Sequence, residues 1–368
     1  MLANDTHLNL TLPALFYEIQ LVTPSFNAYG ASLPGTPGII LGFNENIAWG
    51  LTNSGRDFID WYSIRFKEGG QEFYYFEDTV QPVVKVVESF HVRGEDDFFD
   101  TVMHTHFGPV VFDDSFKPDT VAGTLAMKWV GALPSNPVKV FNRLLKAVNY
   151  QDFEAAVKDF EDPPQNFVFA ARNGDIAIRH QGRFVLKWPE QGKFIMDGDR
   201  PENNWQGFVP DAFLPNVLNP ERNFVSSANQ HPTDSTSPYY YNGSFEYYRN
   251  RRINNVLSDS ILFSVDDMMA LQQDNYNLLA AEVLPFMLSR ISTSELDESH
   301  KAYFYLLSNW DFYHHPDSEG AAIFTAWWDT LLTQVYDEME FVSDTFDNFF
   351  PPPVVTVDLL KDDPDHPI

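Results

Sequence analysis

Apolar positions recur with two different periods along the chain, and these periods predict two kinds of element. Residues 15–66 and 72–132 alternate short apolar runs with Gly, Pro and Asn, which is typical of strands joined by tight turns. Between residues 140 and 160 the apolar positions fall at helical spacing, broken near Asn149, and predict two short helices. A chain in which strands come first and helices later is expected to have an α+β fold.

Local signals place further elements. The Asn-Gly pair at 173–174 lies between two apolar runs and predicts a β-hairpin. Ser264 and Asp267 form the pattern of a capping box ahead of a helical run, so a helical portion is expected at about 264–340. No period of twenty to fifty residues repeats and no low-complexity stretch divides the chain. We therefore interpret residues 1–368 as one continuous domain.

The chain is strongly acidic, and this excludes some classes of partner. Its 52 acidic and 24 basic residues give a formal net charge of −28, which repels phosphate backbones and argues against nucleic-acid binding. No run of eighteen apolar residues occurs, so no membrane span is expected. The sequence has no cysteine, which excludes disulfides, thiolate metal sites and a cysteine nucleophile. Covalent catalysis would therefore use an oxygen or an amine.

Four clusters of polar residues contain side chains that catalysts use. They are Asn4, Asp5 and His7; Asn53 with Asp57 and Asp60; Asn229 with His231; and Arg249, Arg251 and Arg252. Each cluster alone has a structural explanation, because Asn and Asp cap turns and a histidine near an apolar strand is usually a hydrogen-bonded core residue. Their order along the chain carries more information than any one of them.

A zinc hydrolase is the alternative that the histidine pairs raise. His104 and His106 lie two residues apart, and His314 and His315 are adjacent. Neither pair has an H-E-x-x-H companion or a third ligand at the usual spacing, and the segment around His104 reads as a strand. The histidine pairs therefore give little support to a zinc site.

Five segments resemble, in order, the β-chain of the penicillin acylase family, whose members are N-terminal-nucleophile (Ntn) hydrolases. The segments are MLANDTHL, LPGTPGIILGFNENIAWGLTNSGRDFID, PPQNFVFAARNGDIAIRHQGRF, SSANQHP and YYRNRRI. The resemblance implies a four-layer αββα sandwich, and an incomplete one, with the N-terminal nucleophile strand and a C-terminal part missing. In the family a precursor is cut so that a serine becomes the first residue of the β-chain. The serines here, such as Ser25, Ser32 and Ser54, are internal.

The resemblance also implies an activity. The family cleaves the amide bond of N-acylated small molecules such as β-lactam antibiotics or acyl-homoserine lactones, so the parent protein is expected to be an amidohydrolase linked to antibiotic biosynthesis or resistance. Because the serine is absent, the alternative is a catalytically inactive fragment that acts only as a binding or scaffold remnant. The expected partners are the α-chain of the same precursor or a second copy that pairs with an exposed sheet edge at residues 13–22. The family location is periplasmic or extracellular.

The resemblance assigns roles to individual residues. The Asn53 backbone N–H and the Asn229 side-chain amide would form the oxyanion hole. His7 would position the α-amine of the nucleophile or relay its proton, since a neutral α-amine with a pKa of about 7.7 to 8.0 can accept the hydroxyl proton itself. With histidine at this position the chain resembles the cephalosporin and acyl-homoserine-lactone acylases more than the penicillin G enzymes. This resemblance points toward an aliphatic acyl chain. Arg249 would support the nucleophile region and steer substrate carboxylates.

A structural calcium ion is the expected cofactor. By resemblance, Asp57, Ile59 and Asp60 would bind it through two carboxylates and a backbone carbonyl, which are the hard oxygen ligands that calcium prefers. In the family a further ligand falls in the segment that is SPYYYNGS here, and this segment contains no carboxylate.

Overall fold

The structure, a computed structural model, describes residues 1–5, 8–118, 121–259, 262–337 and 350–362. The chain divides into two compact units, Met1–Glu246 and Tyr247–Ile368. Among the described residues, the first unit contains all the strands and two α-helices, and the second contains only helices. The interpretation of residues 1–368 as one domain stays a prediction.

Strands make up most of the first unit. They are β1 (Tyr17–Thr23), β2 (Phe26–Ser32), β3 (Leu41–Asn44), β4 (Ile47–Asn53), β5 (Ile59–Ser63), β6 (Phe73–Phe76), β7 (Thr79–Pro82), β8 (Val84–Phe90), β9 (Phe98–His104), β10 (Val110–Phe112), β11 (Leu125–Trp129), β12 (Gln165–Ala171), β13 (Ile176–Gln181), β14 (Met196–Asp197) and β15 (Asn216–Leu218). The predicted β segments are therefore confirmed. The segment around His104 is two strands with a turn between them, not one.

The α-helices occur in two groups along the chain: α1 and α2 lie between β11 and β12, and α3 to α8 follow β15. They are α1 (Pro137–Leu144), α2 (Tyr150–Val157), α3 (Arg249–Ser258), α4 (Val265–Gln272), α5 (Leu278–Ser289), α6 (Glu298–Ser308), α7 (Glu319–Val335) and α8 (Pro353–Asp362). The α+β class is confirmed. The helical portion begins at Arg249 rather than near 264, because six of the ten residues of α3 are arginine or asparagine and its apolar positions span little more than one turn.

Side-chain caps set the helix ends that the sequence predicted. Asn149 accepts a hydrogen bond from the Asp152 backbone N–H and so begins α2, which explains the break near this residue. Ser264 and Asp267 form the predicted capping box at the start of α4, with each side chain bonded to the other residue's backbone N–H.

A seven-stranded antiparallel sheet carries the candidate site. Its strand order is β1-β2-β3-β4-β12-β13-β15, so β4 lies at the centre. The hairpin predicted at 173–174 is confirmed as the connection between β12 and β13. One face of the sheet packs against α1 and α2 in a core that includes Trp49 and Phe169 from the sheet and Leu144 and Phe153 from the helices. This packing holds β4 and β12 rigidly in place.

Strand β1 lies at an open edge of this sheet. It pairs with β2, and among the described residues it has no second strand partner. Tyr17 and Val22 on this strand are 41% and 69% exposed. An edge of this kind can pair with another chain. The predicted homodimer or α-chain contact at residues 13–22 stays a prediction.

The remaining sheets are smaller. A four-stranded sheet has the order β10-β11-β5-β14, and two ribbons are formed by β6 with β7 and by β8 with β9. In the second unit, α5, α6, α7 and α8 contribute to one apolar core around Leu284, Phe324 and Trp328. Within the described part of the chain, no helix has the length and apolar character needed to cross a membrane.

Candidate active site

Strand β4 ends at Asn53, where the chain leaves the sheet in a turn. The Asn53 side chain accepts a hydrogen bond from the Gly55 N–H at 2.8 Å, and Gly55 has a positive φ of 67°. This local bond uses the side-chain oxygen within the turn. Asn53 is an exposed residue, and with its side-chain oxygen used in the turn, its main chain is the part considered as its contribution to a site.

The Asn4 side chain shows which way that main chain faces. Asn4 accepts a hydrogen bond from the Leu51 N–H at 2.6 Å and donates to the Leu51 carbonyl at 3.4 Å, in the manner of a neighbouring strand. Alternate residues of a strand direct their N–H and C=O groups to the same side. The N–H of Asn53 therefore faces the side on which Asn4 lies, beyond the end of the short strand β3. Gly50 makes this approach possible, because a Cβ there would lie 2.0 Å from the Asn4 oxygen.

Asn229 meets Asn53 although 176 positions separate them. Its Nδ2 donates a hydrogen bond to the Asn53 carbonyl oxygen at 2.8 Å. Asn229 has a φ of +64°, a conformation that asparagine tolerates better than most residues. The expected convergence of these two residues is confirmed. Their role as an oxyanion hole stays a prediction.

The loop that carries Asn229 is tied down on both sides. Gln230 accepts from the Ala228 N–H at 2.9 Å and donates to the Ser226 carbonyl at 3.3 Å, so its side chain closes the loop on itself. The Ser227 hydroxyl lies 2.5 Å from that of Thr52, the residue before Asn53. These bonds fix the loop to the end of β4.

Two further residues in this region were not predicted from the sequence. Asn166 on β12 and His180 on β13 are directly opposite each other, and both are buried. Asn166 donates to the Thr52 hydroxyl at 3.1 Å and to the Asn53 carbonyl at 3.2 Å. Polar residues within the apolar alternation of a hairpin are the signal that could have identified them.

The structure does not test the other two predicted catalytic residues. His7 lies outside the described residues. Arg249 is the first residue of α3 in the second unit. Arg251 and Arg252 of the same cluster pair with Glu282 and Asp274, with N–O distances of 2.5 and 2.6 Å. The roles predicted for His7 and Arg249 remain predictions.

The residues predicted to bind calcium surround a lysine. The Lys187 Nζ lies 2.8 Å from a carboxylate oxygen of Asp57 and 2.8 Å from one of Asp60. The second oxygen of Asp60 accepts a hydrogen bond from the Trp205 indole. The side chains of Lys187 and Asp60 are 1% and 0% exposed.

This donor set does not fit a calcium ion. Calcium takes six to eight oxygen ligands, whereas here an ammonium group lies between the two carboxylates. Gly192 closes the cluster, because a Cβ there would lie 2.1 Å from the Asp60 oxygen. Within the described ranges, no group of three or more His, Asp or Glu residues is placed to hold a metal ion. The same finding leaves the histidine pairs at 104 and 106 and at 314 and 315 without a metal site. Calcium binding stays a prediction that this arrangement does not favour.

The comparison with known families agrees with the segments that surround these residues. A sequence profile described as penicillin amidase matches residues 1–367. The chain belongs to the penicillin amidase family. Relatives include an acyl-homoserine lactone acylase of Pseudomonas aeruginosa, 25% identical over 293 residues. A penicillin acylase 2 proenzyme of Pseudomonas sp. strain SE83 is 25% identical over 277 residues.

These two alignments cover 77% and 74% of this chain but 34% and 35% of the relatives. The chain thus spans about a third of the length of the curated relatives it matches. Among solved structures, a thermostable penicillin G acylase from Alcaligenes faecalis is similar, with a TM-score of 0.72 and 21% identity over 91% of this chain and 64% of that one. The predicted Ntn-hydrolase fold is confirmed by this likeness.

The buried histidine of this family member, His180, has an unusually low pKa. Burial, together with the nearby charges of Arg56 and His231, lowers the pKa of His180 to about 3. The Arg56 guanidinium is itself buried and lies over the Tyr241 ring, 4.1 Å from its centroid. His180 is therefore neutral at physiological pH.

Lowering the pH from 7 to 5 is expected to destabilise the protein in part through His180. Its pKa is about 3 in the folded state and about 6.5 when exposed, so between these values the unfolded state binds the proton more strongly. The free energy of unfolding then falls as the pH falls below about 6.5, by about 2 kcal/mol at pH 5. Urea unfolding at both pH values, with His180→Asn as the comparison, measures this term. An equal loss in both proteins would contradict it.

Proposed function

We propose that the protein hydrolyses the amide bond of an N-acylated small molecule, with the Asn53 N–H and the Asn229 amide as the oxyanion hole. The observation that carries the proposal is the 2.8 Å bond from Asn229 to the Asn53 carbonyl, which brings two remote segments to one exposed strand end. The substrates named for the family's relatives, acyl-homoserine lactones and penicillins, define the class we propose. The proposed location is periplasmic or extracellular.

The chemistry requires donors that are fixed in advance. Attack on an amide carbonyl places negative charge on its oxygen in the tetrahedral intermediate, and donors already in position stabilise that charge without reorganisation. Asn229 meets this condition because its loop is tied to Thr52 and its amide is anchored on Asn53.

The nucleophile in this proposal is a serine with a free α-amino group. Its hydroxyl would attack the carbonyl while the α-amine accepts the proton. The tetrahedral intermediate would then collapse, expelling the protonated amine product and leaving an acyl-enzyme that water hydrolyses. Each serine within residues 1–368 is preceded by other residues in this sequence, so it would gain a free α-amine only through cleavage of the chain. The test therefore needs two samples: the protein as its gene encodes it and residues 1–368 alone.

Release of carboxylic acid from phenylacetyl, glutaryl and long-chain acyl amides tests the proposal. We expect acid release above a heat-inactivated control from the protein as encoded, and none from residues 1–368 alone. Absence of release by the encoded protein across the panel would favour a binding or scaffold remnant. Clear turnover by residues 1–368 alone would contradict the assignment of the nucleophile.

A further inference from the structure

A series of hydrogen bonds leads from the buried interior of the seven-stranded sheet to the candidate oxyanion hole. His180 and Asn166 are 2% and 4% exposed, and they face each other across the hairpin of β12 and β13. The His180 Nδ1 lies 2.6 Å from the Asn166 Oδ1. From Asn166 the hydrogen bonds continue to the Thr52 hydroxyl and the Asn53 carbonyl.

The chemistry of the atoms determines the direction of the hydrogen bonds that Asn166 makes. The Asn166 Oδ1 can only accept, so the His180 Nδ1 carries the hydrogen. The Asn166 Nδ2 then has its two hydrogens directed at the Thr52 hydroxyl and the Asn53 carbonyl. If the amide were turned over, its oxygen would lie about 3.2 Å from the carbonyl oxygen of Asn53, and two acceptors would face each other. The N–H of His180 and the Asn53 carbonyl thus favour the same orientation of the Asn166 amide.

The Asn53 carbonyl receives donors from two sides. Asn166 donates from the sheet and Asn229 from the loop, so both lone pairs of this oxygen have partners. The Thr52 hydroxyl accepts from Asn166 and also shares a hydrogen bond with the Ser227 hydroxyl, in which either oxygen can donate. The orientation of one buried amide accordingly constrains both the end of β4 and the loop that carries Asn229.

We propose that His180 and Asn166 are positioning residues for the Asn53–Asn229 pair. This inference rests on the proposed function, since positioning has a catalytic consequence only if that pair binds the oxyanion. His180 also stacks on Phe184, with ring centroids 4.4 Å apart, so a merely structural role must be separated from positioning. A displacement of about 1 Å in a catalytic group can cost about 10²-fold in rate.

Two substitutions at one position separate these roles. His180→Asn removes the stacked ring but keeps an N–H donor at the place of Nδ1, whereas His180→Leu removes both the ring and the donor. We expect kcat for amide hydrolysis by the protein as its gene encodes it to fall about 10²-fold in His180→Leu, with KM changed by less than about threefold. In His180→Asn, kcat is expected to stay within about threefold of wild type. Asn166→Leu should resemble His180→Leu.

A second measurement does not depend on turnover. Backbone hydrogen exchange of residues 51–56, followed by mass spectrometry, is expected to be about tenfold faster in His180→Leu than in His180→Asn, at matched thermal stability. Equal exchange in the two variants would overturn the inference. An equal fall of kcat in the two would overturn it as well, since loss of the ring would then explain the effect. Faster exchange in His180→Leu without any wild-type turnover would uphold the positioning geometry and reject the proposed function.

Discussion

Replacing Lys187 with methionine is expected to lower the free energy of unfolding by about 3 to 5 kcal/mol. The substitution keeps most of the side-chain volume but removes the ammonium that pairs with Asp57 and Asp60. Asp60 is fully buried, and a buried charge that loses its partner is costly by this amount. Urea or thermal unfolding of the wild type and the variant measures the difference.

Lys193→Met is the matched control for this substitution. Lys193 is 54% exposed and pairs with an exposed Glu190, so its loss should change stability by less than about 1 kcal/mol. Similar losses in the two variants would show that the buried pairing has no special weight. Because the ammonium occupies the place predicted for calcium, the wild-type melting temperature should not change with added calcium or with EDTA. A clear rise with calcium would contradict the donor set described above and support the metal site.

Replacing Asn229 with glycine is expected to lower kcat for amide hydrolysis by about 10² to 10³-fold, with little change in KM. The magnitude is that of removing one oxyanion donor, about 2.7 to 4 kcal/mol of transition-state stabilisation. Glycine is the suitable replacement because Asn229 has a φ of +64°, and any side chain with a Cβ would add strain to the lost bond. Steady-state kinetics on the best substrate of the panel measures the effect in the protein as its gene encodes it.

Asn223→Gly is the control for the backbone change. Asn223 also has a positive φ, of 59°; its side chain donates to the nearby Glu221 carbonyl and its backbone N–H to the Pro220 carbonyl. Its replacement should leave kcat within about twofold of wild type. If the two variants lost activity equally, the Asn229 amide would not be the oxyanion donor, and flexibility of the loop would explain both results.

Several elements followed from the sequence because one side chain acts on its own neighbours. Asn149 caps α2 through the N–H of a residue three positions later, and Ser264 does the same for α4. Such signals need no tertiary context. Helix α3 was missed because six of the ten residues in RNRRINNVLS are arginine or asparagine, and its apolar residues Ile253, Val256 and Leu257 span little more than one turn.

In the candidate site, too, some residues were assigned from the sequence, whereas the contacts between them became known only from the structure. Asn53 and Asn229 were assigned by resemblance, and the structure brings them together, but no property of either residue alone predicts a partner 176 positions away. The alternation of β12 and β13 indicates which residues share a face. It does not show that Asn166 and His180 are opposite each other, because the pairing register depends on the hairpin loop and on the core beneath it.

Lys187 shows most clearly what only the tertiary structure decided. The sequence identified Asp57 and Asp60 as a pair of nearby carboxylates, and by resemblance a bound metal was their expected counter-charge. Lys187 lies 130 and 127 positions further along the chain, in a segment with no local signal. Local sequence determines strands, caps and turns through interactions between near neighbours. The partner of a buried charge is determined by which segments the packed core brings together, and that depends on the whole fold.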